Sequence, residues 1–225
     1  MDELRRVYDT VAVAYDERLR DELDHKPLDR ALLTATVELA GTGPAGGGPA
    51  GRGTVADVGC GPGQVTRFLA ALHPDVVGVD LSPAMVALAR DRSPDIPYLV
   101  ASMLELPVGD DAWSGAVALY SIIHLDPVRR RAAFRELARV LRPEAPLLIA
   151  FHTASSEVAT GGTLHLTSWF GADVTVDVHF LDPVAVRADL GAAGFDVVAE
   201  MYREALDPEE YPSRRAYLLA RAGRA

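Results

Sequence analysis

The chain has 225 residues, a formal net charge of −10 and a single cysteine. That length buries one substantial α/β core. The acidic balance argues against a nucleic-acid partner, because affinity for phosphate backbones comes from clustered Lys and Arg. One cysteine excludes an internal disulfide and fits a reducing compartment. Met1-Asp2-Glu3-Leu4-Arg5-Arg6 lacks an apolar signal-peptide core and no apolar run is long enough to span a bilayer, so a cytoplasmic protein without a membrane partner is expected.

In chain order, Glu3 to about Ala40 reads as two helical segments, broken or capped near Asp24-His25-Lys26-Pro27. Gly41 to Gly53 reads as a flexible Gly/Pro/Ala loop with too little apolar bulk to fold alone. Strands are predicted near 54–59, 76–80, 97–101, 115–120 and 146–152, and helices near 64–72, 83–91 and 127–141. Ser82-Pro83 marks one helix start, since Pro suits the first helical position and Ser can cap it. This alternation predicts a parallel sheet with helices on both faces. Arg129-Arg130-Arg131, the only basic run, reads as a solvated helix face. Asp182-Pro183 starts a further helix ending near Gly191, followed by strands from Phe195 to Arg203 and from Ser213 to Ala222.

Between 153 and 181 lies a segment of different character, two alternating runs around Gly171-Ala172-Asp173, which predicts a β-hairpin. A three-residue loop places Leu164, Leu166, Phe170, Val174, Val176, Val178 and Phe180 on one face. His165, Thr167, Trp169, Thr175, Asp177 and His179 then share the other, with His165 and His179 as cross-strand neighbours. The polar face is either plain solvated surface or the cover of a substrate pocket. The second reading makes His165, Trp169 and His179 substrate contacts.

The most informative stretch is Val55-Ala56-Asp57-Val58-Gly59-Cys60-Gly61-Pro62-Gly63, with Asp80 closing the apolar run Val76-Val77-Gly78-Val79. Glycines at alternate positions permit positive φ and close approach of backbone to a ligand. A carboxylate at the end of the next strand can accept both hydrogen bonds of a ribose diol. Gln64 stands where a dinucleotide fingerprint needs its last glycine, which disfavours a pyrophosphate and a nicotinamide oxidoreductase. The stretch resembles the cofactor motif of the class I S-adenosylmethionine (SAM) dependent methyltransferases. Asp80-Leu81-Ser82-Pro83-Ala84-Met85, Leu104-Glu105-Leu106-Pro107, Ser121-Ile122-Ile123-His124-Leu125 and Glu136 to Pro143 resemble successive landmarks of that family, from about Tyr8 to Leu219.

The resemblance implies SAM as cofactor and S-adenosylhomocysteine (SAH) as product. Gly59, Gly61 and Gly63 would approach the methionine and ribose portions, with Asp57 suiting the ammonium group and Asp80 holding the ribose. Leu81 and Met85 would flank the adenine, with Ser102 and Met103 on its other side; Met85 reads equally as helix core. Tyr120 and Ser121 end the fourth strand at the ligand-presenting edge. Tyr8 and Tyr15 resemble residues of a leading helix that folds over SAM. Lys26, the only lysine, is either a contact to the carboxylate of SAM or substrate, or incidental surface. His124 is the best-placed candidate base, or else part of a structural helix start; His152 is a second candidate. The histidine spacing shows no metal site. Ser102 and Ser114 stand where relatives often carry Asp, and Glu144-Ala145 replaces a usual Gly-Gly, implying a different turn.

The expected fold is α/β, a Rossmann-like seven-stranded mixed sheet with helices on both faces and its last strand antiparallel. The expected organisation is one domain: a helical lid (1–40), a flexible loop (41–53), the SAM-binding core (54–152), a hairpin insertion over the substrate pocket (153–181) and the sheet completion (182–225). The expected function is methyl transfer to O or N, less readily C, of a small-molecule acceptor, by a monomer or homodimer. The alternatives are an RNA-modifying methyltransferase and a noncatalytic SAM-binding scaffold subunit.

Overall fold

The computed structural model describes residues 1–42 and 53–223, apart from the side chain of Thr42; most of the predicted flexible loop therefore lies outside the described residues. The chain opens with helix α1 (Asp2–Leu19), a 3-10 turn (Glu22–His25) and helix α2 (Pro27–Thr42). The core then alternates β1 (Thr54–Val58), α3 (Gln64–Leu72), β2 (Val76–Asp80), α4 (Pro83–Arg92), β3 (Tyr98–Val100), β4 (Trp113–Leu119), α5 (Pro127–Val140) and β5 (Pro146–Ser155). A hairpin of β6 (Thr163–Leu166) and β7 (Val176–His179) precedes α6 (Pro183–Ala192), β8 (Phe195–Arg203) and β9 (Ser213–Ala222).

Three helices begin with the same local chemistry. Ser82, Asp126 and Asp182 each accept a hydrogen bond from a backbone N–H of the following turn, and each precedes a proline. The cap satisfies a donor that the first turn cannot pair internally, and the proline has no N–H to lose there. Strand residues alternate between two cores. Leu147, Ile149 and Phe151 of β5 face α5 and α6, while Leu148 and Ala150 face α2 and α3.

The large sheet has the order β3-β2-β1-β4-β5-β9-β8. Its first five strands are parallel, and β9 runs antiparallel to both neighbours. Strand order therefore reverses between β1 and β4, which places their C-terminal ends at a topological switch point. Ser114, in a position read as a missing carboxylate, donates its hydroxyl to the Gly53 carbonyl at 2.7 Å and ties the starts of β4 and β1 together. Glu144 sits at φ +67, a left-handed turn of the kind glycine favours, so the departure there lies in residue type while the turn stays in glycine's territory.

The hairpin corrects the predicted register. His165 stands opposite Asp177, and Thr163 opposite His179, two positions from the expected pairing. The two registers leave the same residues on each face, because side-chain direction repeats every second residue. The tip and one extra residue set the register: between the bridge at the tip and the Leu166–Val176 pair the first strand has two residues and the second three. Trp169 and Ala172 form a bridge around Phe170 and Gly171, at φ +48 and +78. Consecutive positive φ values make a two-residue turn whose twist matches its strands.

Candidate active site

Beyond β1 the chain turns through Gly59, Gly61 and Gly63 at φ +84, +54 and +85. A Cβ at Gly59 would stand 2.2 Å from Ser121 Cβ, and one at Gly63 would stand 2.7 Å from the Tyr98 hydroxyl, so packing alone demands these two glycines. A Cβ at Gly61 would meet nothing nearer than Tyr15 Cε1 at 3.8 Å and would fill the cradle between the turn and α1. Gly61 is the position that opens to a ligand.

Asp80 ends β2 beside this turn. Its Oδ2 accepts from Gly61 N and its Oδ1 from Ser82 N, both at 2.8 Å. The carboxylate is thereby fixed, with a further lone pair on each oxygen for a ribose diol; burial raises its pKa. Asp57 lies behind the turn, buried, and accepts from Thr66 Oγ1 at 2.6 Å. Burial pushes its pKa up to about 7.

Helix α1 roofs the turn. Asp9 Oδ1 accepts from Ser82 Oγ at 2.6 Å and from Ala84 N at 3.2 Å, and Asp16 pairs with Arg92 at 2.6 Å, so α1 is pinned to both ends of α4. Tyr8 and Tyr15, two helical turns apart on one face, meet Trp169 at centroid distances of 5.5 and 6.1 Å. Burial raises both hydroxyl pKa values.

His124 joins these two covers. Its Nδ1 lies 2.7 Å from the Asp177 carbonyl, and its Nε2 lies 2.6 Å from the Tyr8 hydroxyl. A carbonyl only accepts, so Nδ1 carries the proton, Nε2 offers a lone pair, and Tyr8 donates to it. Burial lowers the His124 pKa to about 4. The imidazole is neutral near pH 7 and fastens α1 to the hairpin.

Two cavities flank this arrangement. The larger, about 760 Å³, opens at the ends of β1, β4 and β5, and is bounded by the 3-10 turn, the hairpin and the β8–β9 loop. The smaller, about 70 Å³, lies between Asp80, Leu81, Met103, Gly59 and Tyr8. It is well under the roughly 300 Å³ at which ligand pockets begin, and Gly59, Gly61 and Tyr120 border both cavities.

Lys26 is buried and faces the larger cavity. Its ammonium pairs with Glu22 Oε2 and lies 5.5 Å over the Tyr120 ring, while Glu22 Oε1 accepts from Gln64 Nε2 at 3.0 Å. Tyr120 itself sits at φ +54. For a non-glycine residue that conformation costs about 1–2 kcal/mol. Its hydroxyl lies 2.8 Å from that of Tyr217, which donates to Asp29 at 2.9 Å. His152 is stacked between Tyr120 and Phe180, at 4.9 and 5.8 Å, with Nδ1 2.7 Å from Ser213 Oγ. Burial, with Arg215 nearby, lowers its pKa to about 3.

Other sequence-predicted residues lie apart. Met85 is fully buried in the core, and Ser102 uses its hydroxyl to accept from Leu104 N at 3.2 Å; neither lines either cavity. His165 is exposed and pairs with Asp177 at 2.6 Å, while His179 meets Thr163 at 2.9 Å. Of the hairpin's three candidate contacts, Trp169 alone lines the larger cavity.

The sequence reading missed Glu22, Gln64, Glu210 and Arg215. Glu22 and Lys26 stand at i and i+4, a spacing that could have paired them. Arg203 bridges Asp29 at 2.6 Å and Glu210 at 2.8 Å, and Arg215 meets Glu210 at 3.0 Å. Among the described residues no group of three His, Cys, Asp or Glu could hold a metal ion, and no helix is long and apolar enough to cross a membrane.

Residues 55–144 match the family model described as a methyltransferase domain. The O-methyltransferase cnsE of Penicillium expansum is 34% identical over 103 residues, 43% of this chain and 37% of that protein. The chain thus spans well under half the length of that relative. The demethylmenaquinone methyltransferase of Beutenbergia cavernae is 26% identical over 198 residues, 88% of this chain and 74% of that protein. The solved DhpI–SAH complex shares the fold with a TM-score of 0.72 at 19% identity, over 100% of this chain and 97% of that one. The matched residues are those that build the glycine turn, the Asp80 strand end and the fourth strand, and over them the chain is similar to the methyltransferase domain family.

Proposed function

We propose that this protein transfers the methyl group of SAM to an oxygen or nitrogen, less readily a carbon, of a small-molecule acceptor. One observation carries the reading: the cradle at Gly61, beside the fixed carboxylate of Asp80, opens into a cavity of about 760 Å³, with Tyr120 on the wall of both this cavity and the smaller one at Asp80. When bound, SAM would supply a methyl group on a sulfonium, whose carbon–sulfur electron pair would stay with sulfur as the acceptor's lone pair takes the carbon.

The residues present fit that cofactor. Asp80 takes the ribose hydroxyls with its remaining lone pairs, and Leu81 and Met103 line the smaller cavity where the nucleoside belongs. Lys26 and Glu22 form a neutral pair that complements a zwitterion, the ammonium facing its carboxylate and the carboxylate its ammonium. Tyr8, Tyr15, Trp169 and Phe170 close over the turn and exclude water, which strengthens every charge interaction beneath them.

His124 has its lone pair taken by Tyr8, so it holds the covers together while His152, at the acceptor side, receives the acceptor's proton. With a pKa near 3, His152 is a weak base. It suits an acceptor that becomes strongly acidic as the new bond forms, losing its proton during or after transfer.

Calorimetric titration with SAM and SAH tests the reading, with Asp80→Ala as control and NADH as competitor. Micromolar binding lost in Asp80→Ala, and indifferent to NADH, is the expected result. Absence of binding to either ligand, with no nucleoside found by mass spectrometry of the denatured protein, overturns it.

A further inference from the structure

The charges lining the larger cavity are already matched. Lys26, itself buried, pairs with Glu22, and Arg215 meets Glu210 at 3.0 Å in a buried pair, while Arg18 meets Glu209 at 2.7 Å and His25 lies 3.9 Å from Asp207 at the exposed rim, so among the described residues each cation on its walls has a carboxylate partner. The carboxylates are equally held: Glu210 by Arg203 as well as Arg215, and Asp29 by Arg203 and the Tyr217 hydroxyl. Asp57 is bound to Thr66 behind the glycine turn, and Asp21 is exposed to solvent.

The walls between these pairs are apolar. Ile123, Leu164, Leu166, Val178, Phe180 and Trp169 line the cavity, opposite the ring of Tyr120. Uncharged polar groups interrupt them, among them Gln64, whose buried Oε1 has no partner, at the glycine turn, and His152 beside Tyr120, whose Nδ1 is bound by Ser213 and whose other ring nitrogen has no protein partner among the described residues.

We infer that the acceptor is an uncharged, ring-bearing molecule held between the hairpin's apolar face and Tyr120, with its hydroxyl or amine hydrogen-bonded by His152. The inference rests on the methyl-transfer reading and narrows it. Inside the cavity an anionic acceptor has to pull Lys26 or Arg215 from its carboxylate, and breaking one member out of a buried pair leaves the other uncompensated. A cationic acceptor meets the same obstacle in reverse. The net charge of −10 adds a long-range bias against anions. A planar, uncharged ring makes neither demand, and offset stacking on aromatic walls favours it.

A matched pair of fluorescent probes tests this without knowledge of the acceptor. N-phenyl-1-naphthylamine is uncharged; 8-anilinonaphthalene-1-sulfonate has the same rings plus a sulfonate. Each is titrated into the full chain saturated with SAH. The expected result is that the uncharged probe binds at least ten-fold more tightly than the sulfonate, that Leu166→Arg abolishes its binding, and that Glu209→Gln, which frees Arg18, raises affinity for the sulfonate alone.

Equal or tighter binding of the sulfonate overturns the inference, as does failure of both probes to bind, or retention of the uncharged probe by Leu166→Arg. Calorimetry of SAH on the same samples separates the two levels. SAH binding without the probe preference removes only the acceptor class, whereas probe binding without SAH binding removes the methyltransferase reading.

Discussion

Replacing Tyr8 with Phe deletes one oxygen and tests whether His124 fastens the two covers of the site. The ring contacts of Tyr8 with Trp169 at 5.5 Å and Tyr15 at 6.2 Å survive the change, so packing is retained. What is lost is the 2.6 Å donation to His124 Nε2, leaving a half-buried lone pair without its donor. Such a loss costs about 1–3 kcal/mol, which corresponds to roughly 5- to 150-fold in an opening equilibrium. Asp9 and Asp16 still pin α1 to α4, so the cost is expected as local opening near Tyr8 rather than global unfolding. Hydrogen exchange followed by mass spectrometry reads this directly, with urea unfolding of the same variant as the global control. Amides in residues 2–19 and in the hairpin, 163–179, should exchange faster together, because one imidazole holds both. Unchanged exchange in α1, or acceleration confined to one of the two segments, refutes the fastening role.

Three further outcomes follow from the geometry. Gly61→Ala should fold, at a cost of about 1–2 kcal/mol for a left-handed alanine, and lose at least ten-fold in SAH affinity by calorimetry; Gly59→Ala should be far less stable in urea, its Cβ placed 2.2 Å from that of Ser121. Lys26→Met leaves Glu22 without its cation and should cost about 1–3 kcal/mol together with SAH affinity, while Lys26→Met with Glu22→Gln should recover stability but not affinity. His152 has its pKa lowered from 6.5 to about 3, so the folded form binds fewer protons than the unfolded chain between those values. Its stabilising contribution is complete above pH 6.5 and is lost as pH falls toward 3; His124 acts in the same direction, and Asp57, raised to about 7, in the opposite one. His152→Asn should therefore lose less stability than the parent between pH 8 and pH 4.5, by about 2–3 kcal/mol in urea titrations, and identical losses in the two proteins would contradict a buried neutral imidazole.

The parts of this molecule that could be read from sequence are those whose cause is local. Ser82-Pro83 and Asp182-Pro183 start helices because the cap and the proline act within one turn, and the apolar runs of β1, β2 and β5 announce strands buried on both faces. The glycine turn was legible as a pattern, but its division of labour was not. Gly59 and Gly63 are small because Ser121 and Tyr98 press on them, and only the folded chain shows that Gly61 alone faces open space.

The hairpin register failed for a definite reason. Two registers that differ by two residues bury the same faces, so alternation cannot choose between them. The choice fell to the extra residue before β7 and to a tip with Phe170 in a left-handed conformation, one that a bulky aromatic seldom adopts and that no pattern announces. The ring contacts of Phe170 with Trp169 at 5.0 Å and Tyr15 at 5.2 Å show what holds it there. The same turn therefore aims the hairpin's aromatic tip at α1. His165 stands in solvent in either register, while Leu164 and Leu166, whose side chains point the other way, line the larger cavity. The larger cavity is apolar on its hairpin side because the apolar face of the strands is the one buried and the polar face is left to solvent, the plainer of the two readings that the alternation allowed.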